Sequence, residues 1–345
     1  MKEKPQGGTS KMINFGTIGT NWITQQFVDA AHESGLYQLS SVYSRHLDTA
    51  KEFAQKNGAT ETFDDLTAFF EQGQFSTVYI ASPNSLHFEQ AKMAIKAGKH
   101  IIVEKPAFEN LGEMAKIEEL LEQHPEVLYF EAARNIHTPN FAAIQAQVKK
   151  LPVIQGANLT YMKYSSRYDN VMAGEEPNVF SLNYGGGALQ DLGVYPVYVA
   201  VALFGMPNQV NYFPSLIQTG VDGKGVAILQ YPEYNVTVNF GKTSNSVMPS
   251  EIYGLKDTIV IDDAGEITDV SYIDAKGDRE TISQPVTQNQ MLLEARDFAR
   301  VINQPDAPAN QEDYQRWFNL SVQVNKVLFN LRQSGKIVFY DERDN

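Results

Sequence analysis

From Met12 to about Ala133, short β-branched runs alternate with stretches of helical period: INFGTI, WITQQFVDAAHESG, LSSVYS, DTAKEFAQKNG, STVYIAS, SLHFEQAKMAIKAG, KHIIVE, NLGEMAKIEELLEQH and VLYFEA. Strands and helices in this order predict a parallel sheet with right-handed crossovers, because each parallel neighbour is reached by a long connection over one face. Past Asn135 the pattern changes. One helical stretch, PNFAAIQAQVKK, gives way to alternating runs, VIQGANLTYMKYS, NQVNYFPSLIQT, GVAILQY, NVTVNF, EIYGLK, DTIVID and ITDVSYID. The segments VDGKG, YPEYN and DDAGE separate them with the turn chemistry of antiparallel meanders. Two amphipathic helices, QNQMLLEARDFARVI and EDYQRWFNLSVQVNKVLFNLRQSG, and a strand-like KIVFYD close the sequence.

A chain of 345 residues is long enough for two domains. Its 28 Lys+Arg against 41 Asp+Glu give a net charge of −13, which disfavours nucleic acid and anionic membrane as partners. Zero cysteines remove disulfides, thiolate nucleophiles and Cys-ligated metals. The six histidines (His32, His46, His87, His100, His124, His137) show no metal-ligand spacing, so no metal is expected. Residues 1–11 read as a polar, flexible leader without the apolar core of a signal peptide, and no run of about eighteen apolar residues stands out; both predict a cytoplasmic chain. Gly241-Lys242-Thr243 matches the end of a P-loop, but Val236 stands where its first glycine belongs, and no G-x-S-x-G occurs.

The turn after the first strand reads Gly16-Thr17-Ile18-Gly19-Thr20-Asn21-Trp22-Ile23-Thr24. A dinucleotide fingerprint belongs here, since a strand-to-helix turn aims backbone N–H groups at a pyrophosphate. With Gly19 as its first position, Asn21 and Thr24 replace the other two glycines. Asn tolerates positive φ, so the Gly19–Ile23 turn can still form, although the same residues also suit a plain strand–turn–helix. The second strand ends at Ser44-Arg45, without the carboxylate that holds a ribose 2′-hydroxyl. A guanidinium there suits a 2′-phosphate and favours NADP, with NAD possible.

The most informative segment is TVYIASPNSLHFEQAKMAIKAGKHIIVEKP, with Ser82-Pro83-Asn84, His87, Ala97-Gly98-Lys99-His100 and Glu104-Lys105-Pro106; a second block runs from Gly185-Gly186-Gly187 through Asp191 and Tyr195 to Pro196. Together they resemble the family of glucose–fructose oxidoreductase, inositol dehydrogenase and the MocA proteins, Gfo/Idh/MocA. The resemblance spans Met12 to about Gly335. It implies an α/β fold with an N-terminal Rossmann dinucleotide-binding domain over 12–134 and a C-terminal α+β domain over 135–345. The second domain carries a large, mainly antiparallel open sheet for substrate binding and for a homodimer or homotetramer. It also implies that Lys105 approaches the nicotinamide and the reacting carbon, that Ser82, Asn84 and His87 line the cofactor cleft, that Glu104 lies near the nicotinamide ribose, and that Arg134 and Asn135 border the nicotinamide. Many members carry histidine where this chain has Tyr195; the branch similar to dihydrodiol and xylose dehydrogenases carries tyrosine.

The implied activity is hydride transfer between the nicotinamide and a carbinol of a sugar, polyol or cyclic diol. Were the segment from Gln190 helical, Asp191 and Tyr195 would share one face. A phenol with its ordinary pKa of about 10 needs a neighbouring cation to act as a base at neutral pH, and the lysine supplies one. Tyr195 and Lys105 are both candidates for the direct proton acceptor, with Asp191 holding a substrate hydroxyl or the lysine. Tyr161, Lys163 and Asn178 are candidate substrate contacts. Residue by residue, a packing aromatic, a solvated turn lysine and a helix-start carboxylate would serve as well. A non-catalytic dinucleotide-binding regulator and an NAD-dependent glycosidase of the same fold are the alternative functions.

Overall fold

The computed structural model describes residues 11–340, so the leader expected over residues 1–11 falls outside them except for Lys11. The first domain runs β1 (Ile13–Ile18), α1 (Trp22–Ser34), β2 (Tyr37–Tyr43), α2 (Leu47–Asn57), β3 (Glu61–Phe63), α3 (Leu66–Gln72), β4 (Thr77–Ile80), α4 (His87–Lys96), β5 (His100–Glu104), α5 (Leu111–Gln123) and β6 (Tyr129–Ala132). All its strand pairs are parallel, in the order β3-β2-β1-β4-β5-β6. The central strands β4 and β5 read TVYI and HIIVE and are buried on both faces, as helix-covered parallel strands must be. One face packs on α1, α2 and a late helix, the other on α3, α4 and α5.

The second domain contains α6 (Pro139–Val148), β7 (Gly156–Met162), α7 (Arg167–Met172), α8 (Val194–Phe204), β8 (Gln209–Leu216), β9 (Asp222–Gln230), β10 (Asn235–Gly241), β11 (Ser250–Tyr253), β12 (Thr258–Ile261), β13 (Val270–Ile273) and β14 (Arg279–Thr281), followed by α9 (Met291–Asn303) and α10 (Pro308–Ser334). Its eight strands lie in the order β14-β13-β12-β11-β7-β10-β9-β8, antiparallel except where β7 and β10 run parallel. The inner face covers α8, whose residues Val194 to Val201 are all buried. Residues Leu182–Phe204 form a 23-residue run whose length and mean composition alone would suit a bilayer span, although Asn183, Gln190 and Asp191 interrupt its apolar residues. Most of that run is buried in the domain core, which accounts for its apolar character.

Both closing helices return to the first domain. Met291, Leu292, Ala295, Phe298 and Ala299 of α9 join the core that contains Phe27 and Phe130, and α10 lies along α8 while reaching β6 and α5. Asn135, fully buried at the crossing, donates to the carbonyls of Tyr195 (3.2 Å) and Ala264 (3.0 Å), fixing the start of α8 against the first domain.

Two local expectations are corrected. VDGKG is not a turn: Asp222 to Gly225 lie inside β9, pairing with β8 and β10, and the reversal falls at Gln218-Thr219. Buried Asp222 is spent on the backbone of another segment, so its turn propensity is overridden. KIVFYD forms no strand over its described part. Ile337 and Phe339 are buried as anchors, with the Arg332 guanidinium donating to the Ile337 carbonyl (3.1 Å) and lying 4.1 Å from the Phe339 ring centre.

Candidate active site

β1 delivers the chain to Gly19, whose φ of +106° favours glycine. A Cβ there would stand 2.8 Å from the Ala81 carbonyl oxygen, so the turn can pass this close to the end of β4 only without a side chain. Asn21 does not adopt positive φ. At φ −80° it caps α1, its Oδ1 accepting from the N–H groups of Ile23 (3.0 Å) and Thr24 (3.1 Å) while its Nδ2 donates to Ala81 O (3.1 Å). The residue at the second glycine position thus ties the turn to β4, and the edge that could meet a pyrophosphate moves forward to the Thr20–Trp22 backbone. A cleft of about 500 Å³ opens there, lined by Thr20, Asn21 and the exposed Trp22, with Thr49, Glu52 and Lys56 of α2 opposite. Arg45, exposed just past β2, makes no hydrogen bond or ion pair among the described residues, and half-exposed Ser44 precedes it.

β4 ends in Ala81-Ser82-Pro83, and Ser82 Oγ donates to Gln90 Oε1 (2.7 Å). Asn84 Nδ2 reaches across to the Gly185 carbonyl (2.8 Å), joining the first motif to the triple glycine. His87, expected along the cofactor cleft, is fully buried. Its Nε2 faces Ser82 O (2.9 Å) and its Nδ1 faces the carbonyls of Pro106 and Ala107 (both 3.2 Å), so it braces the loop that carries Lys105. Burial lowers its pKa, opposed by those carbonyls.

Lys105 follows β5. Its Nζ donates to the backbone carbonyl (3.0 Å) and to Oδ1 (3.1 Å) of Asp191, and lies 4.8 Å from the Tyr195 ring centre. Lys105, Asp191 and Tyr195 therefore meet at one corner. Asp191 lies in a single π-helical turn, Leu189–Gly193, that leads into α8. Arg134 also lies over the Tyr195 ring, 5.4 Å from its centre, and pairs with Glu266 (2.9 Å). Tyr161 packs edge-on to Tyr195 with ring centres 5.5 Å apart, and its hydroxyl donates to the same Glu266 oxygen (2.9 Å). Lys163 and Asn178 are exposed. Burial would raise the Glu266 carboxyl, but Arg134 and the Tyr161 hydroxyl overcome it and hold it below the usual range.

Glu104, buried behind Lys105, accepts from Tyr79 OH (2.5 Å) and from Lys105 N (3.2 Å), and its pKa is raised by burial against the pull of Lys105. Its carboxylate is occupied by the protein.

Three contributors were missed in the sequence. Asp222 accepts from Leu189 N (2.7 Å) and Tyr212 OH (2.6 Å), fixing the π-helical turn from below. Glu266 sits in a loop whose alternation says nothing of function. Lys242, dismissed with the P-loop remnant, is buried against Asp191 Oδ2. Its signal was available: Val236, Val238, Phe240 and Lys242 share one phase of β10.

These features suit a nicotinamide dinucleotide, given a turn too tight for a Cβ, an uncommitted guanidinium past β2, and the Arg134 Nε buried without a partner beside Tyr195. The strand order places the Gly19 and Ser82 turns on either side of the crevice where doubly wound sheets bind dinucleotides, so the class is a dinucleotide-binding α/β protein. Comparison with known sequences makes this specific. The chain belongs to the GFO/IDH/MocA family: the profile described as an oxidoreductase family with NAD-binding Rossmann fold matches residues 13–132, and the GFO/IDH/MocA C-terminal domain matches residues 158–260.

Similar proteins include the uncharacterized oxidoreductase YgjR of Escherichia coli, 39% identical over 85% of this chain and 89% of its own length. The scyllo-inositol 2-dehydrogenase (NADP(+)) IolU of Bacillus subtilis is 36% identical over 95% of this chain and 98% of its own. The solved structure of a levoglucosan dehydrogenase with NADH and levoglucosan superposes with a TM-score of 0.82 at 20% identity, covering 94% of this chain and 98% of that one. The chain is an NAD(P)-dependent oxidoreductase, in agreement with the sequence motifs.

Proposed function

We propose that this enzyme prefers NADP and interconverts a secondary alcohol of a cyclic polyol with its ketone, with scyllo-inositol as the first substrate to test. The observation that carries the reading is the meeting of Lys105, Asp191 and Tyr195 at the C-terminal end of β5. An ammonium has three donors, and two of those on Lys105 are spent on Asp191, which orients the third toward a substrate oxygen. Tyr195 accepts the hydroxyl proton in oxidation and returns it in reduction. Lys105 and Arg134 lie over its ring and favour the negative charge that develops on the phenol oxygen. Bound NADP supplies the hydride acceptor. The 36% identity to IolU, extending over 95% of this chain, supports both the polyol and the 2′-phosphate, for which Arg45 is the partner.

The open face of the eight-stranded sheet, with exposed Phe213 and Val226, supports a homodimer or homotetramer formed there, readable by sedimentation. The function is tested by titrating the protein with NADPH and NADH by nucleotide fluorescence, then following NADP reduction with scyllo-inositol, other inositols, aldoses and cyclic diols. Tight NADPH binding with turnover on a cyclic polyol supports the proposal. Binding without turnover on any of these alcohols refutes it.

A further inference from the structure

The lysine that follows β10 occupies a position in the phase of the core. Val236, Val238 and Phe240 are fully buried, Thr237 and Asn239 alternate outward, and the same period carries Lys242 inward to 3% exposure. A lysine so placed needs a counter-charge, and Lys242 finds it in Asp191 Oδ2, with the Phe180 ring centre 5.2 Å from its Nζ. The other oxygen of that carboxylate holds Lys105, so one aspartate bridges two lysines whose side chains are 10% and 4% exposed. Among the described residues, the charged groups facing Lys242 are Asp191 in contact and Lys105 across it.

We propose that Lys242 is a positioning residue of the hydride-transfer site: it grips Asp191 from behind and, by holding or shedding a proton, sets whether that carboxylate serves two cations or Lys105 alone. This rests on the oxidoreductase reading of the Lys105 corner. Charge balance supports it, because a single carboxylate neutralises one ammonium and the second, out of water, is costly. Burial, and then the charge of Lys105, lower the Lys242 ammonium to about 7.

The two oxidation states of the cofactor carry the same phosphates and differ by the positive charge of the oxidised nicotinamide ring. NADP+ therefore drives the proton off Lys242 when it binds, and NADPH does not. Calorimetric titration of the full chain at pH 7, in two buffers of different ionisation enthalpy, counts the protons released. The expected result is that NADP+ releases up to about half a proton more than NADPH, since a group near its pKa is about half protonated. That difference is absent in Lys242→Met and in Lys242→Arg, whose guanidinium stays charged.

Equal counts for the two cofactors in the wild type would overturn the proposal, as would a difference that persists in both variants. If Lys242→Met does not fold, the wild type and the arginine variant decide the matter. As a second readout, the pH profile of kcat with NADP and scyllo-inositol should lose its inflection near neutrality in both variants while KM for NADP changes less than about threefold. A wild type inactive toward scyllo-inositol would defeat the substrate reading only, and the proton count would still judge Lys242.

Discussion

Replacement of Arg45 by alanine isolates the cofactor preference, because the side chain is exposed and has no partner among the described residues, so its loss costs the fold little. A charge-assisted bond to a phosphate contributes about 1.5–3 kcal/mol. Exposure to water and a screening length of about 8 Å at physiological salt push this one toward the lower end. At about 1.4 kcal/mol per factor of ten, Arg45→Ala should weaken NADPH binding by about 10- to 30-fold and NADH binding by less than about twofold. Fluorescence titration of both nucleotides checks this, and repeating it at higher salt should narrow the gap between wild type and variant. Equal losses for both nucleotides would refute the assignment of a 2′-phosphate to this arginine.

Lys105→Met should lower kcat by about a hundredfold or more while NADPH affinity changes less than about threefold, a separation visible in steady-state kinetics and nucleotide fluorescence. Asp222→Ala leaves Leu189 N and Tyr212 OH without their acceptor in the core, so thermal unfolding should show a loss of about 2–4 kcal/mol. Burial lifts the Glu131 carboxyl from an ordinary 4.5 to about 7. Its raised pKa means the contribution is intact below about pH 4.5 and is lost as pH rises toward 7, by about 3 kcal/mol at 1.36 kcal/mol per unit. Glu131→Gln should flatten that decline in denaturant titrations at a series of pH values.

The parallel sheet was legible because apolar strands and Gly-terminated helices repeat locally, and each choice agreed with its neighbours. The corner of Lys105, Asp191 and Tyr195 was legible only through motif resemblance, since Lys105 just past β5 stands 86 residues before Asp191 in the π-helical turn, with Tyr195 in the helix beyond it. Asn21 was read through the backbone freedom of its residue type, whereas its side chain acts as a cap; nothing local announces the Ala81 carbonyl 60 residues away. Asp222 and its glycines look like a turn in isolation and become a strand because Tyr212 and the Leu189 amide claim the carboxylate. Lys242 carried a usable signal, a charge in the buried phase of an alternating strand, that motif matching passed over.

The π-helical turn at Leu189–Gly193 holds one residue more than an α-helical turn would. Each helical residue turns the chain by about 100°. Residues upstream of the widened turn are therefore rotated out of step with α8, whose own orientation is dictated by an apolar surface on every side. Removing one residue there would leave the packing of α8 in place and swing Asp191 away from both lysines. The azimuth of the Asp191 carboxylate is in this way a matter of chain length, open to change by insertion or deletion without rebuilding the core beneath it.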